Sequence, residues 1–204
     1  MALTGTDAYA TLAPSTLPPL VRRAVAVARE HGFPYSCRPE QGRLLHALAG
    51  GAGARIGETG TGCGVGLAWL ASGAGAGADV RVVSVERDPR LASRTAELFA
   101  DHSAVEVIEG DWQRIAEQAP YDLLVLDGGG QGKTPGDPPA DVHSLLAPGG
   151  TVVIDDFTPA TGYPPLHEGA PDRARLHWLE HPALRTVELH LAPDLSTVVG
   201  TRRW

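Results

Sequence analysis

The residues with the clearest chemical signature form a glycine-rich segment in the first half of the chain. Glu58 ends a short apolar run and is followed by glycines at alternate positions, Gly60, Gly62, Gly64 and Gly66. Glycine lets the backbone turn sharply and approach a ligand closely, and the N–H groups at the start of the following helix face that ligand. The segment therefore predicts a binding site for a nucleotide-like ligand at the end of a strand.

The spacing of these glycines distinguishes between two classes of ligand. Dinucleotide-binding enzymes use G-x-G-x-x-G/A, but the third Gly or Ala of that pattern would fall on Val65 or Leu67. The run at residues 73–78 satisfies the pattern formally, yet it precedes a predicted strand instead of following one. In addition, Glu58 would repel a pyrophosphate and attract a cation. The sequence therefore favours a positively charged ligand, with a dinucleotide as the weaker alternative.

A second acidic residue ends the next apolar run. Glu86 lies about twenty residues beyond the glycine turn, where folds with such a turn accept hydrogen bonds from both ribose hydroxyls of a nucleoside. This position predicts Glu86 as a ribose ligand. The alternative is an unpaired glutamate on the surface.

Short apolar runs alternate with amphipathic stretches from residue 54 onward, which is typical of βα units on a parallel sheet. The pattern predicts strands at residues 54–58, 80–85, 105–108, 121–126 and 151–154. It predicts helices between them near residues 64–72, 89–101, 112–118 and 139–146. A helix near residues 172–181 follows, and an antiparallel hairpin at residues 184–191 and 196–201 ends the chain.

Two accessory helices are expected before the first strand, at residues 17–31 and 40–49. All elements together predict an α/β fold, a Rossmann-like, doubly wound, mostly parallel sheet with helices on both faces. Five parallel strands and the C-terminal antiparallel hairpin make seven strands in all. A chain of 204 residues is long enough for one such domain and too short for two.

The glycine-rich segment resembles motif I of class I methyltransferases, E/D-x-G-x-G-x-G, with Glu58, Gly60, Gly62 and Gly64 in register. The resemblance implies that S-adenosylmethionine is the ligand, and its cationic methionine part suits Glu58. It also implies that residues 51–204 are the cofactor-binding domain and that residues 1–50 are a helical extension packed on this core.

The resemblance to class I methyltransferases extends past the third strand. Asp111 matches the position where the family has an acid in contact with the adenine amino group, and Trp112 matches the neighbour that packs on the ring. A plain helix N-cap is the alternative role for Asp111, and the two roles are compatible.

Within that class the chain is similar to the small O-methyltransferases related to catechol methyltransferases. The similarity lies in residues 38–45, 121–127 and 145–156. It implies Mg²⁺ bound by Asp127, Asp155 and Asp156 at the ends of strands four and five, where the ion would lower the pKa of an acceptor hydroxyl. The family usually has Asp-Asn where this chain has Asp155-Asp156. The alternative is that Asp155 and Asp156 cap turns while Asp127 faces the cofactor or a helix N-terminus.

Lys133 lies in the loop after strand four, where that family carries a basic residue that acts as general base. The resemblance therefore implies Lys133 and Asp127 as catalytic residues, and a solvated loop lysine is the alternative. Residues 132–134 also end like a P-loop, but its first glycine would fall on Asp127, and the prolines at 135, 138 and 139 oppose the helix that a P-loop needs.

The expected function is methyl transfer from S-adenosylmethionine to an oxygen of a small hydroxylated acceptor. A protein that binds S-adenosylmethionine without catalysis is the alternative, and a P-loop-like or dinucleotide-binding enzyme is a weaker one.

The composition narrows the choice of partner and compartment. A formal charge of −7 leaves no basic stripe to neutralise a phosphate backbone, so a small-molecule acceptor is expected and nucleic acid is not. Only Cys37 and Cys63 are present, which argues against a disulfide framework and structural zinc. No apolar run approaches the ~18 residues that span a bilayer. We therefore expect a cytoplasmic protein, and the N-terminal helix leaves both a monomer and a homodimer open.

Overall fold

A computed structural model describes residues 5–75 and 79–204. Seven strands form one sheet in the order β3-β2-β1-β4-β5-β9-β8. The strands of this sheet are β1 (Arg55–Thr59), β2 (Arg81–Glu86), β3 (Val105–Glu109), β4 (Tyr121–Leu126), β5 (Leu146–Phe157), β8 (Leu184–Ala192) and β9 (Leu195–Arg202). The first five are parallel to one another, and β9 runs antiparallel to both β5 and β8. A separate two-stranded ribbon pairs β6 (Leu166–His167) with β7 (Ala170–Pro171).

The strand order reverses at β1, which pairs with β2 on one side and with β4 on the other. In open parallel sheets a crevice forms outside the carboxyl ends of the strands at such a reversal, because the connecting helices leave in opposite directions. The fold therefore places a crevice beside the glycine-rich segment that follows β1. This topology confirms the predicted Rossmann-like α/β sheet of seven strands with a C-terminal hairpin.

Six α-helices are present in the described residues, and they cover both faces of the sheet. They are α1 (Pro19–Glu30), α2 (Pro39–Gly50), α3 (Val65–Ala74), α4 (Pro89–Leu98), α5 (Val142–Leu145) and α6 (Arg173–Leu179). Three 3₁₀ helices are added at Asp7–Thr11, Pro14–Thr16 and Trp112–Gln118. The run at residues 73–78 has its first two residues at the end of α3, and residues 76–78 lie outside the described residues.

Three predicted helices differ from the structure. The helix expected at residues 139–146 is only α5, because Asp141 caps a helix that begins after it and the chain is already extended at Leu146. The helix expected at residues 112–118 is a 3₁₀ helix. The helix expected to end at residue 101 ends at Leu98, where the N–H of Phe99 bonds to carbonyls three and four residues back and tightens the last turn.

Strand β5 is longer than the predicted residues 151–154. The Pro148-Gly149-Gly150 stretch lies inside β5. Tyr121 pairs with Leu146, but Leu123 pairs with Thr151, so the additional residues of β5 are accommodated by a register shift. Such bulges depend on the pairing with a distant strand, which local sequence patterns do not encode.

Two buried clusters lie on opposite faces of the sheet. Alternate residues of the central strands point to each face: Leu123 and Val125 join α1, α2 and α3, whereas Leu124 and Leu126 join α5, α6 and Trp178. Both faces are thus covered by helices. No helix in the described part of the chain is long and apolar enough to cross a bilayer.

The segment before β1 packs on helix α3. Tyr9 donates a hydrogen bond to the carbonyl oxygen of Cys37 (2.7 Å) and accepts one from Nε1 of Trp69 in α3 (2.9 Å). The buried face of α1 belongs to the same apolar cluster as Trp69. The division of the chain at residue 50 into extension and core stays a prediction, but the two parts share one buried cluster.

The contact between α2 and α3 leads to a stability prediction. A Cβ added at Gly42 would overlap the indole of Trp69, which is 2 % exposed and held by Tyr9. Gly42→Ala is therefore expected to lower the free energy of unfolding by about 1–3 kcal/mol, as overpacking does in buried sites. Urea denaturation followed by circular dichroism measures this change.

Gly50→Ala in the same helix is the matched control. Its Cβ would lie 3.5 Å from the nearest atom, the carbonyl oxygen of Gly73, so no clash results. Alanine is also the better helix former. A loss of stability in Gly50→Ala as large as that in Gly42→Ala would show that the packing against Trp69 is not the cause.

Candidate active site

A cavity of about 470 Å³ lies at the carboxyl ends of β1, β2 and β4. Its volume falls in the range of ~300–1,000 Å³ that small-ligand sites occupy. Its walls come from the glycine turn at residues 60–66, the end of β2, the segments at residues 110–112 and 127–128, and the stretch at residues 33–37 before α2. The cavity therefore lies where the strand order reverses.

The floor of the cavity is formed by backbone alone at one place. Gly60 has φ of +85°, which favours glycine, and a Cβ built there would overlap Gly128 after β4. Gly64 has φ of +81° and is the N-cap residue of α3. The glycine turn thus brings the start of α3 to the cavity. Gly60 and Gly62 line it and Gly64 does not, and the cofactor contacts expected of the three glycines stay predictions.

Glu86 lies on the cavity wall at the end of β2. Its carboxylate accepts hydrogen bonds from the backbone N–H groups of Gly62 and Asp88, both at 2.8 Å. Two backbone donors from different segments therefore fix this side chain beside the glycine turn. The structure brings Glu86 and Gly62 together, and the ribose contact expected of Glu86 stays a prediction.

Asp111 and Trp112 lie on the opposite wall. Asp111 caps the 3₁₀ helix at Trp112–Gln118 by accepting a hydrogen bond from the N–H of Gln113 (3.1 Å), and it also lines the cavity. The N-cap role is therefore present, and it leaves the side chain at the cavity edge. The ring of Trp112 packs against Gly129 and Gly130, which would overlap it if either carried a Cβ.

Glu58 lies behind the cavity wall. It is 1 % exposed, accepts a hydrogen bond from Ser84 Oγ (2.6 Å), and points its other oxygen at Gly66. Ser84 also bonds Thr61 at 2.6 Å, so Glu58 is joined to the glycine turn through two hydroxyls. Burial raises the pKa of Glu58 well above its usual range, and Asp127 and Glu86 add to the shift. Sequence reasoning found Glu58 but missed the hydroxyls that hold it.

Asp127 and Asp155 follow or end adjacent parallel strands, but only Asp127 lines the cavity. The N–H of Asp127 donates to the carbonyl of Thr59 (3.1 Å), which fixes the start of the loop after β4. Asp155 is 3 % exposed. Burial raises the pKa of both carboxyls, and for Asp127 the negative charge of Asp155 adds to this effect.

Asp156 lies where the backbone of β5 departs from regular pairing. The pairing of β5 with β9 is irregular between Ile154 and Phe157, and Asp156 has φ of +60°, a strained value for a residue other than glycine. Among the described residues, no three His, Cys, Asp or Glu side chains form a group that could hold a metal ion. The expected Mg²⁺ set of Asp127, Asp155 and Asp156 is therefore not assembled, and these residues do not fit a divalent cation.

Lys133 folds back onto the end of β5. Its Nζ donates to the backbone carbonyl oxygens of Asp155 and Asp156, the latter at 2.8 Å, and lies 4.2 Å from the centroid of the Phe157 ring. Burial lowers the pKa of Lys133, while Asp155 and Asp127 oppose this shift. Lys133 is thus half-buried and bonded, and the alternative of a solvated loop lysine is wrong.

Two residues of the loop after β4, Gln131 and Asp137, were missed by sequence reasoning. The Asp137 carboxylate accepts from the N–H groups of Gly130 (2.6 Å) and Gln131 (3.2 Å), which closes the loop. Gln131 Nε2 donates to the carbonyls of Leu126 in β4 and Asp155 in β5. A turn bridged between Thr134 and Asp137 follows Lys133, so the helix that a P-loop needs is not there.

Comparison with known families decides which class of enzyme this site belongs to. Residues 58–157, which include the glycine turn, Glu86, Asp111 and Asp127, match the model of a methyltransferase domain. The chain carries a methyltransferase domain. The class I methyltransferase predicted from motif I is therefore confirmed. No curated protein matches the sequence.

Solved structures resemble the methyltransferase domain and the segment before it. Cofactor-bound Rv0187 from MTB is 23 % identical with a TM-score of 0.74, and the match covers 100 % of this chain and 99 % of that one. The O-methyltransferase TomG from Streptomyces achromogenes, in complex with SAM, is 21 % identical over 98 % and 96 %, with a TM-score of 0.68. An O-methyltransferase from Bacillus cereus, in complex with SAH, is 20 % identical over 98 % and 98 %, with a TM-score of 0.70. At these identities the likeness establishes a shared fold.

The buried Glu58 predicts how the stability of the methyltransferase domain depends on pH. A carboxyl whose pKa is raised on folding binds its proton more tightly in the folded state, so stability falls as pH rises above the unfolded value of 4.5. Glu58→Gln cannot ionise. The free energy of unfolding of Glu58→Gln relative to the unsubstituted protein is therefore expected to increase between about pH 5 and pH 8.

Urea titrations of the cofactor-free protein at a series of pH values measure this difference. Glu30→Gln, at the exposed end of α1, is the control and is expected to give a difference that does not change with pH. If the Glu58→Gln difference is equally flat, the folded protein does not pay for a buried charge at this position.

Proposed function

We propose that the protein transfers a methyl group from S-adenosylmethionine to an oxygen of a small hydroxylated acceptor. The observation that carries the proposal is the cavity beside Gly60, in which a methyltransferase motif, a fixed acidic residue at the end of β2 and an indole ring surround one space. Glu86 and Asp111 line this space and Glu58 lies behind it, so its acidic groups favour a cationic ligand over a pyrophosphate.

The residues present fit S-adenosylmethionine. Gly60 and Gly128 lie too close for a Cβ on either, so bare backbone lines the cavity there, and Glu86 is fixed beside the glycine turn, which supports a contact with a ribose. Trp112 offers a ring face and Asp111 an acceptor for the adenine end. When bound, S-adenosylmethionine supplies an electrophilic methyl group on a positively charged sulfur.

The chain itself positions the reactants and manages one proton. An aligned acceptor oxygen needs little further help, because positioning alone accounts for much of the barrier in such transfers. Asp127 is the carboxylate of the β4–β5 edge that lines the cavity, and we assign to it the acceptance of the hydroxyl proton. Tyr35, which also lines the cavity and packs edge-on against Phe33, shapes the space beside the glycine turn.

The setting that we propose is the cytoplasm. Cys37 and Cys63 are both free and buried, which fits a reducing compartment. The net charge of −7 makes nucleic acid an unsuitable partner. The homodimer left open by the sequence stays a prediction.

Cofactor binding is tested through Glu86. Glu86→Gln keeps the shape of the side chain but loses its charge, and hydrogen bonds to charged groups are stronger than neutral ones. We expect the dissociation constant for S-adenosylmethionine to rise roughly tenfold, equivalent to ~1.4 kcal/mol. Isothermal titration calorimetry gives the constant directly.

Glu109→Gln is the matched control for this variant. Glu109 is the register partner of Glu86 at the end of the neighbouring strand β3, but it is exposed and does not line the cavity. Its substitution is expected to leave the affinity unchanged. Equal affinities in all three proteins would remove Glu86 from the site.

The reaction is tested by incubating the protein with S-adenosylmethionine and a panel of catechols and other small hydroxylated compounds. Mass spectrometry should find one added methyl group on an oxygen of at least one compound. Cofactor binding with no methylated product across phenols, alcohols and amines would instead establish a binding protein without catalysis. Binding of NAD or ATP in place of S-adenosylmethionine would overturn the proposed class.

A further inference from the structure

The ammonium group of Lys133 has a built site at the carboxyl end of β5. Three groups surround it: the carbonyl oxygens of Asp155 and Asp156 and the face of the Phe157 ring. Carbonyl oxygens and aromatic faces present negative charge density, and both attract cations. The end of β5 therefore binds a cation that the chain itself supplies.

The Phe157 ring beside this ammonium is held in place by its neighbours. Phe157 is 5 % exposed, and the guanidinium of Arg175 lies 4.8 Å from the centroid of the same ring. Arg175 is in turn held by ion pairs with Asp172 (3.1 Å) and Glu188 (2.9 Å). The Arg175 guanidinium is held by these two ion pairs, and it packs against the Phe157 ring and keeps the ring in place beside Lys133.

The loop that carries Lys133 is fixed as well. Gln131 Nε2 bonds to Leu126 and Asp155, and the Gln131 carbonyl accepts from the indole N–H of Trp178 (2.8 Å). Asp137 closes the loop on its other side. Hydrogen bonds on both sides of Lys133 thus fix the backbone of its loop, which limits the positions that its ammonium group can reach.

The charges at this edge of the sheet match a single ammonium better than a divalent ion. The negative charges of Asp155 and Asp127 both favour the protonated form of Lys133, and the effect of Asp155 is the larger. Asp156 does not complete a metal-binding group with them, and Lys133 occupies the two backbone oxygens beside it.

We propose that Lys133 is an internal cation that takes the place of a divalent metal ion in this active site and stabilises the oxyanion of the acceptor. The inference rests on the proposed function. When the O–H bond of the acceptor breaks, its proton passes to the Asp127 carboxylate and the electron pair stays on oxygen. Two N–H bonds of Lys133 are used by the backbone carbonyls, and we assign the third, which remains beside the Phe157 ring, to that oxygen.

The test uses 4-nitrocatechol as a probe, since its ionised form has a distinct visible absorbance. The probe is titrated with pH in the presence of the protein, S-adenosylhomocysteine and EDTA, so that neither turnover nor metal contributes. We expect bound probe to ionise about one pH unit below free probe, a tenfold change in its ionisation constant. Addition of Mg²⁺ should leave that midpoint unchanged.

Lys133→Met keeps the length of the side chain and removes its charge. It is expected to abolish the shift in the ionisation of the probe, whereas Lys133→Arg restores part of it. The affinity for S-adenosylmethionine, measured by calorimetry, should be unchanged in both variants because Lys133 does not line the cofactor cavity. A structural role alone would not separate these two readouts.

Two results would overturn the internal cation. One is a shift that survives in Lys133→Met, and the other is a shift that is absent in EDTA and appears only on stoichiometric binding of Mg²⁺ to the unsubstituted protein. The second measurement needs no variant, so it decides the matter even if Lys133→Met does not fold. Absence of S-adenosylmethionine binding would instead defeat the proposed function, and calorimetry reports that separately.

Discussion

The close approach of two backbones, at Gly60 after β1 and at Gly128 after β4, is the constraint on which the cavity depends. A side chain on either residue would overlap the other. Because the strand order reverses between these strands, the chain separates on either side of this contact and leaves a crevice above it. The start of α3, the end of β2 and the loop that begins at Asp127 all reach the crevice from this one point.

The same edge of the sheet carries an excess of acidic side chains. Acidic side chains gather here because four parallel strands end side by side, and burial makes their ionisation costly. The positive charges of Lys133 and Arg175 both lie against the Phe157 ring and balance part of this excess. A cationic ligand would supply the remainder on the side of the glycine turn.

Much of the fold could be predicted from the sequence, since β1 to β4 are marked by short apolar runs and local breakers and end within one or two residues of their predicted positions. The glycine turn and Glu86 were found because their spacing is local. The bulged β5 and the positive φ of Asp156 were not, because both lie where the pairing of β5 with a distant strand is irregular. The course of Lys133 likewise depends on Gln131 and Asp137, whose bonds leave no trace in a pattern of residue types.

Glu188 connects the C-terminal hairpin to the residues around Phe157. One of its carboxylate oxygens accepts from Arg175, from Ser196 Oγ and from the N–H of Ala160, which begins the long segment beyond β5. Strand β8 is at the edge of the sheet and far in sequence from the glycine turn. Through Glu188 it nevertheless holds both the Arg175 side chain, which packs on Phe157, and the segment beyond β5. A substitution in this outer hairpin can therefore shift the Phe157 ring and the segment beyond β5 without touching any residue of the glycine turn.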